Sequence, residues 1–290
     1  MASHYGKGQH MQYITEQSLV AFADWLTQHE KSPVTVRKYL HDLRAFAAFA
    51  GAEPLTKALT VAYKNQLTRQ SAPASVNSRL SALNSYLRFL GATDCMVRLL
   101  KQQQKIYCPA ERALTERDYA KLLNCSTGRT RLLLQTLCGT GIRVSELQYF
   151  TVEAVQHNTV TVRCKGKSRD ILIPSALRTE LLRYARKLGI TEGIIFRTRS
   201  GRPLDRSNIW KMLKVLCGKA KVAAAKVFPH NFRKLFARRF HKANKDIALL
   251  ADVLGHSSIN TTRIYLMTTF REHQSKIDRM GLIDIPLPDA

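Results

Sequence analysis

The chain has 290 residues, 45% of them hydrophobic, which is enough for two domains that each bury a core. Lys and Arg number 46 against 21 Asp and Glu, giving a formal net charge of +25 and indicating a polyanionic partner, most simply nucleic acid. A membrane surface would predict one concentrated basic segment, whereas residues 1–105 and 106–290 are both cationic.

The N-terminal third is predicted to be a bundle of four helices. We interpret residues 1–13 as a disordered leader, either native or vector-derived, because "MASHYGKGQH" lacks the apolar segment of a secretory signal. Residues 14–93 then show apolar positions at helical spacing, with Thr15 as an N-cap, Ser32 before Pro33 at a second helix start, and Gly51 at its end. "LTKALTVAYKNQLTR" and "APASVNSRLSALNSYLRFLG" supply the third and fourth helices. Residues 94–111, polar and interrupted by Pro109, form the expected linker.

Residues 112–290 are predicted to form a second, mostly helical domain. "LTERDYAKLL" begins a helix capped by Thr115, and "TRLLLQTLCGTG" is an apolar helix that ends at its glycines. The alternation in "HNTVTVRCKGKSRDILIP" predicts an antiparallel hairpin with a basic turn, and "GIIFRT" a third short strand. Helices are expected from Ser207, around Asn231 and Asp246, and across 261–269. The expected fold class is therefore mainly α, with a small antiparallel sheet in the second domain.

The sequence disfavours a location in a membrane or in an oxidising compartment, and it disfavours a metal site. No apolar run approaches the roughly 18–20 residues needed to cross a membrane. The six cysteines show no CxxC pair and no metal-ligand spacing. We therefore expect a cytoplasmic protein with reduced thiols, no membrane partner and no metal site.

Basic residues in two stretches are candidates for anion binding. In "GTGIRVSEL", Arg143 follows a glycine turn at a helix start, where an anion would bind, although an ion pair with Glu146 is an equally good interpretation. In "CKGKSRD", Lys165, Lys167 and Arg169 crowd a hairpin turn that could reach a DNA phosphate. For a lone basic hairpin, a solvated turn is the simpler interpretation.

Two later stretches add histidines, an arginine and a tyrosine. In "PHNFRKLFARRF", His230 and Arg233 share a helical face, which we expect to point away from a buried stripe that includes Phe232. In "LGHSSINTTRIYLM", His256 precedes Tyr265 by nine residues. Alone, each histidine is most simply a satisfied structural residue, and a helical tyrosine most often fills a core.

Taken in order, these residues resemble the catalytic signature of the tyrosine recombinase (phage-type integrase) family, most like its compact Xer-type recombinases and resolvases. Residues 14–93 resemble its SAM-like core-binding domain. The resemblance implies that Tyr265 is the nucleophile, that Lys165 is the general acid toward the leaving 5′-oxygen, and that Glu146 lies behind the site. It also implies a clamp on the scissile phosphate made of Arg143, His230, Arg233 and His256. Phe232 and Lys234 depart from the family pattern, which often has Leu and His there.

The residue types suit cleavage through a covalent 3′-phosphotyrosine. Fixed cations stabilise the charge that develops on the phosphate oxygens, and the phosphotyrosine keeps the bond energy for rejoining. We therefore expect no cofactor, neither metal nor ATP, consistent with the lack of a Walker loop or an acidic cluster in the sequence. The expected partner is duplex DNA with paired recombination sites, bound by a homotetramer that is a monomer or dimer in isolation.

Expected DNA contacts lie on the second and fourth helices and on the hairpin, although solvated helix faces have the same composition: Arg37, Lys38, Arg44, Asn77, Arg79, Lys167 and Arg169. Two alternatives to a site-specific recombinase remain at this point, a type IB topoisomerase and a catalytically silent DNA-binding accessory protein. The residues after the tyrosine turn apolar at 280–287 and are expected to dock either on a neighbouring protomer or on their own domain. Integration, excision, inversion and dimer resolution, including roles in mobile elements, are all compatible with the pattern.

Overall fold

The computed structural model describes residues 12–101, 109–164 and 167–280; the side chains of Cys164 and Lys167 are outside that description. The chain divides into two compact units, Met1–Gln104 and Lys105–Ala290. Within the described ranges, no helix combines the length and apolarity needed to cross a bilayer. Three features predicted from the sequence lie outside the described residues: the general acid Lys165, most of the leader, and the end of the C-terminal tail.

The N-terminal unit is built from the four predicted helices: α1 Glu16–Gln28, α2 Pro33–Ala50, α3 Lys57–Gln70 and α4 Pro73–Phe89. Thr15 caps α1 by accepting a hydrogen bond from the Ser18 main-chain N–H at 3.1 Å. Pro33 occupies the first turn of α2, and Gly51 ends that helix with φ +58°. The helix starts and the α2 stop that local signals predicted are therefore confirmed.

The core of this unit comes from one face of each helix. On α4, Val76, Leu80, Leu83 and Leu87 are at most 1% exposed, as the helical spacing predicted. Residue Gln12, assigned to the leader from the sequence, is held by this unit: its carbonyl accepts from the Leu55 N–H at 2.7 Å.

The C-terminal unit contains a two-stranded sheet among helices: α5 Glu116–Asn124, α6 Gly128–Thr140, a 3₁₀ helix Val144–Tyr149, α7 Val152–Gln156, β1 Thr159–Cys164, β2 Lys167–Leu172, α8 Ser175–Lys187, α9 Arg206–Ala220, α10 Pro229–Asn244, α11 Ile247–Leu254, α12 Ile259–Leu266 and α13 Phe270–Asp278. Helix α10 packs against α6 and α12, and α11 packs against α12. These contacts place the ends of α6 and α11 beside the middle of α10.

The predicted hairpin is confirmed, and the predicted third strand is wrong. Strands β1 and β2 are antiparallel, with Thr159 opposite Leu172. In the "GIIFRT" segment, Ile194 and Arg197 form only isolated bridges, to Thr151 and Pro203. Gly193, with φ +72°, turns the chain just before Ile194, and Gly201, with φ +78°, turns it between Arg197 and Pro203; neither bridge extends into a ladder.

Candidate active site

Arg143 lies between a left-handed glycine turn and a 3₁₀ helix. Helix α6 ends at Gly141, with φ +63°, and a Cβ added there would sit 2.3 Å from the ring of Phe236 on α10. Glycine therefore allows the end of α6 to approach α10 closely. The helix start predicted at Arg143 is present: Arg143 is the N-cap of a helix, which is a six-residue 3₁₀ helix.

Arg143 both pairs with Glu146 and remains accessible to an anion, so both interpretations made from the sequence describe its surroundings. The Glu146 carboxylate accepts from the Arg143 main-chain N–H at 2.7 Å and from its guanidinium at 2.9 Å. The Arg143 side chain nevertheless keeps 39% of its surface exposed. The ion pair thus orients a guanidinium that still faces solvent.

Arg233 is 1% exposed, so the expectation that it points away from the core is wrong. Its guanidinium donates to the carbonyl oxygens of Gly141 and Leu254, and one nitrogen lies 3.1 Å from His256 Nε2. These acceptors make burial of the charge possible, because a buried cation needs partners for its N–H groups. Burial, and then the charge of Arg143, lowers the pKa of Arg233 to about 10. Arg233 therefore remains a cation at neutral pH.

The neighbours of His256 determine its tautomer. An arginine guanidinium can only donate, so Nε2 of His256 must accept from Arg233. The ring proton is then on Nδ1, which donates to the Thr262 hydroxyl at 2.8 Å. Burial, followed by the charges of Arg233 and then Arg143, lowers the pKa of His256 to about 4. At neutral pH the imidazole is uncharged, with its basic nitrogen toward the cation cluster.

Tyr265 lies on α12 with its ring in contact with three of the predicted catalytic side chains. Its ring centroid is 4.8 Å from that of His230 and 4.7 Å from that of His256, and the Arg233 guanidinium carbon is 5.7 Å away. The residue is 6% exposed and packs in a small apolar cluster with Leu250. Tyr265 therefore fills a local core and also meets the basic groups.

The pKa of His230 is lowered by burial and then by the charges of Lys234, Arg233 and Arg143.

Glu146 and Arg169 lie behind the cluster. Glu146 is 3% exposed and pairs with Arg143 and, at 2.7 Å, with Arg169. Arg169, predicted to contact DNA, is 14% exposed at its side chain and donates to the Val253 carbonyl at 2.5 Å. Both of its terminal nitrogens therefore have partners inside the protein.

Other predicted DNA contacts are placed on the N-terminal unit. Arg37, Lys38 and Arg44 are exposed on α2; Lys38 pairs with Asp42 at 2.5 Å and Arg44 with Glu16 at 2.6 Å. Arg79 on α4 is partly exposed. Asn77 is engaged elsewhere, since its side-chain amide bonds both the N–H and the carbonyl of Leu100.

Sequence reasoning missed two features of the site. Thr262, fully buried, holds His256 Nδ1, and the only signal for it was a hydroxyl residue between the histidine and the tyrosine. A cavity of about 430 Å³ opens beside Arg143, His230 and Arg233, and its wall includes Arg206 and Trp210 of α9. This volume admits a phosphodiester group next to exposed cationic side chains. Among the described residues, no three His, Cys, Asp or Glu side chains converge as a metal site would require.

Comparisons with known proteins show the family to which the chain belongs. Residues 112–272 match the model of the phage integrase family, and residues 19–93 match its N-terminal SAM-like domain. Tyrosine recombinase XerA of Pyrococcus furiosus is 31% identical over 93% of this chain and 96% of its own length. Tyrosine recombinase XerC of Lacticaseibacillus casei is 30% identical over 87% of this chain and 94% of its own.

Solved structures share the fold at low identity. The crystal structure of XerA recombinase aligns with a TM-score of 0.52 and 23% identity, covering 93% of this chain and all of that one. A lambda integrase dimer bound to a COC′ core site aligns with a TM-score of 0.68 and 19% identity, covering 96% and 81%. The mainly helical fold, with a SAM-like domain before a catalytic domain, is therefore that of the integrases. From the family model that spans more than half of the chain, and from its XerA relative, we conclude that the protein belongs to the phage integrase family and is a tyrosine recombinase.

Proposed function

We propose that this protein is a site-specific recombinase that cuts and rejoins duplex DNA through a covalent 3′-phosphotyrosine. The observation that carries the proposal is the contact of the Tyr265 ring with His230, His256 and Arg233 beside a cavity lined by Arg143. A scissile phosphate in that cavity would meet the Arg143 guanidinium and the His230 imidazole. The buried Arg233 would add its positive charge from the cavity wall.

The site is suited to an anion because its cations are only partly neutralised. The buried carboxylate of Glu146 pairs with Arg143 and Arg169, whereas Arg233 donates to neutral carbonyls and lies beside His256, which is also neutral. The remaining positive charge is fixed before DNA binds. Such preorganised charge stabilises the transition state of phosphoryl transfer without reorganisation.

In the proposed reaction, the Tyr265 oxygen attacks phosphorus and the bond from phosphorus to the 5′-oxygen breaks. The phenolic proton passes to one of the two imidazoles that contact the Tyr265 ring, His230 or His256. We assign the proton delivered to the 5′-oxygen to Lys165. Attack by another strand's 5′-hydroxyl on the phosphotyrosine reverses the step, so neither ATP nor a metal ion is needed.

We further propose that the active form is a homotetramer on two paired sites and that the protein acts in the cytoplasm. Solved relatives include a lambda integrase dimer on a core site and a lambda integrase tetramer on a Holliday junction. The exposed basic residues of α2, together with Arg79 and Lys167, are the proposed DNA contacts. A role in a mobile element, as an integrase or resolvase, is the corresponding biological proposal.

Trapping the covalent intermediate tests the chemistry. The purified protein is incubated with sheared DNA from its source, the adducts are collected under denaturing conditions, and the attached ends are sequenced. A shared sequence at the ends defines the site, from which a nicked duplex is built to trap the adduct quantitatively. Tyr265→Phe should abolish the adduct and keep DNA binding.

The outcomes separate the three functions considered. An adduct that survives Tyr265→Phe refutes the nucleophile. Adduct ends without a shared sequence favour a type IB topoisomerase, and DNA binding without any wild-type adduct favours an accessory protein. Chemical crosslinking on the nicked site tests the tetramer.

A further inference from the structure

We propose that Arg169 is a positioning residue for strand cleavage. It connects Glu146, the carboxylate that orients Arg143, to the turn that carries His256. This inference rests on the recombinase function proposed above. It replaces the DNA contact predicted for this residue from the sequence. Arg169 acts through groups that meet the phosphate and does not meet it itself.

The strand register directs Arg169 toward the interior. On β2, Arg169 lies opposite Val162, and Ile171, two residues on, lies opposite Val160. These three apolar residues are at most 4% exposed. Because side chains alternate between the two faces of a strand, Arg169 shares the buried face, whereas the adjacent Asp170 is exposed.

The side chain of Arg169 bridges two parts of the site. One terminal nitrogen donates to Glu146 Oε2 at 2.7 Å, and the other donates to the Val253 carbonyl at 2.5 Å. Its stem lies against the main chain of Gly255, where an added Cβ would be 2.4 Å from Arg169 Cδ. The hydrogen bonds of its two terminal nitrogens and the close packing along its stem fix the position of this guanidinium.

On one side, Arg169 shares the Glu146 carboxylate with Arg143. That carboxylate accepts two hydrogen bonds from Arg143 and one from Arg169. Shared between two guanidiniums, the carboxylate neutralises each only in part. Without Arg169, a buried carboxylate would face Arg143 alone and draw the positive charge away from the cavity.

On the other side, Arg169 anchors the turn after α11. Next to Val253, the Leu254 carbonyl accepts from Arg233, and the Gly255 carbonyl lies 3.5 Å from an Arg143 nitrogen. His256 follows directly. Loosening this turn would shift both arginines and the imidazole relative to Tyr265, and a misplacement of about 1 Å can lower a rate by roughly 100-fold.

The test compares Arg169→Lys with Arg178→Lys. Arg178 is a matched control in the same unit, since its guanidinium likewise donates to two acceptors, the carbonyls of Val155 and Gln156, and neither of these hydrogen bonds involves the site. The nicked duplex recovered by adduct sequencing is the substrate. We measure the single-turnover rate of adduct formation, the DNA affinity and the salt dependence of that affinity, with urea unfolding to compare the stability of the two variants.

Arg169→Lys should form adduct roughly 100-fold more slowly, with the affinity and salt dependence of the wild type. Arg178→Lys should keep the wild-type rate. A wild-type rate in Arg169→Lys, with weaker binding and a salt slope reduced by about 1, would instead identify a phosphate contact and overturn the inference.

A DNA-free measurement separates this inference from the function on which it rests. Long-range ¹H–¹⁵N spectra of the full-length protein report the ring nitrogens of His256 directly. Arg169→Lys should shift these resonances and Arg178→Lys should not. An unchanged His256 spectrum in Arg169→Lys overturns the positioning role, whereas failure of the wild type to form any adduct overturns the recombinase function.

Discussion

Replacing Gly255 by alanine should weaken both the catalytic unit and strand cleavage. Gly255 has φ +63°, and this left-handed conformation costs a residue with a Cβ about 1–2 kcal/mol. The new methyl would also lie 2.4 Å from Arg169 Cδ, and crowding in a packed region costs a further 1–3 kcal/mol or so. The free energy of unfolding should therefore fall by about 2–5 kcal/mol. Arg169 should be displaced as well.

Gly189→Ala provides the matched control. Gly189 has φ +62°, also in the C-terminal unit, but an added Cβ there meets nothing within 4 Å. Its substitution should cost only the conformational part, about 1–2 kcal/mol, and leave the adduct rate unchanged. Urea unfolding gives the stabilities, and the nicked-site assay gives the rates. Equal stability losses, or a wild-type adduct rate in Gly255→Ala, would show that Arg169 does not fill this space.

Thr262→Val removes the acceptor that orients His256 through its Nδ1–H, and a loss of about 1–3 kcal/mol of transition-state stabilisation from the misplaced ring should slow adduct formation about 5- to 150-fold. Thr262→Ser should restore most of the rate in the same assay, and a Val variant as fast as the wild type would contradict the tautomer assignment. Acid should also destabilise the catalytic unit: the pKa of His256 falls from its ordinary 6.5 to about 4 on folding, so the unfolded chain binds the proton first and stability declines as the pH falls between these values. Urea unfolding across that range should show a shallower decline for His256→Gln, and parallel curves would argue against a buried neutral imidazole.

Local signals predicted the elements of the fold well. The Thr15 cap, Pro33 in a first turn and the Gly51 stop each act within a few residues, so the chain shows them directly. The alternation around the hairpin also gave its strands correctly. The "GIIFRT" strand failed because a strand needs a partner along its length, and only tertiary structure provides one.

The site was predicted less completely. The order of basic residues before Tyr265 predicted a phosphate-binding cluster. The structure brings Arg143, His230, Arg233 and His256 together near this tyrosine. Helical spacing could not predict that Arg233 is buried, because its acceptors are main-chain carbonyls from two distant segments. The inward turn of Arg169 depends in the same way on the strand register.

The way these cations are held bears on how the site attracts DNA. Two of the three arginines, Arg143 and Arg169, share one carboxylate, Glu146. The other acceptors of Arg169 and Arg233 include the neutral carbonyls of Gly141, Val253 and Leu254. Dipoles of this kind satisfy the N–H groups of a guanidinium and leave its charge in place, whereas a carboxylate for each arginine would cancel the field. Left-handed glycines at the ends of α6 and α11 make this possible, since they turn both chain segments so that their carbonyls converge on the guanidiniums. The positive potential that a phosphate would meet therefore depends on two backbone turns as much as on the arginines themselves.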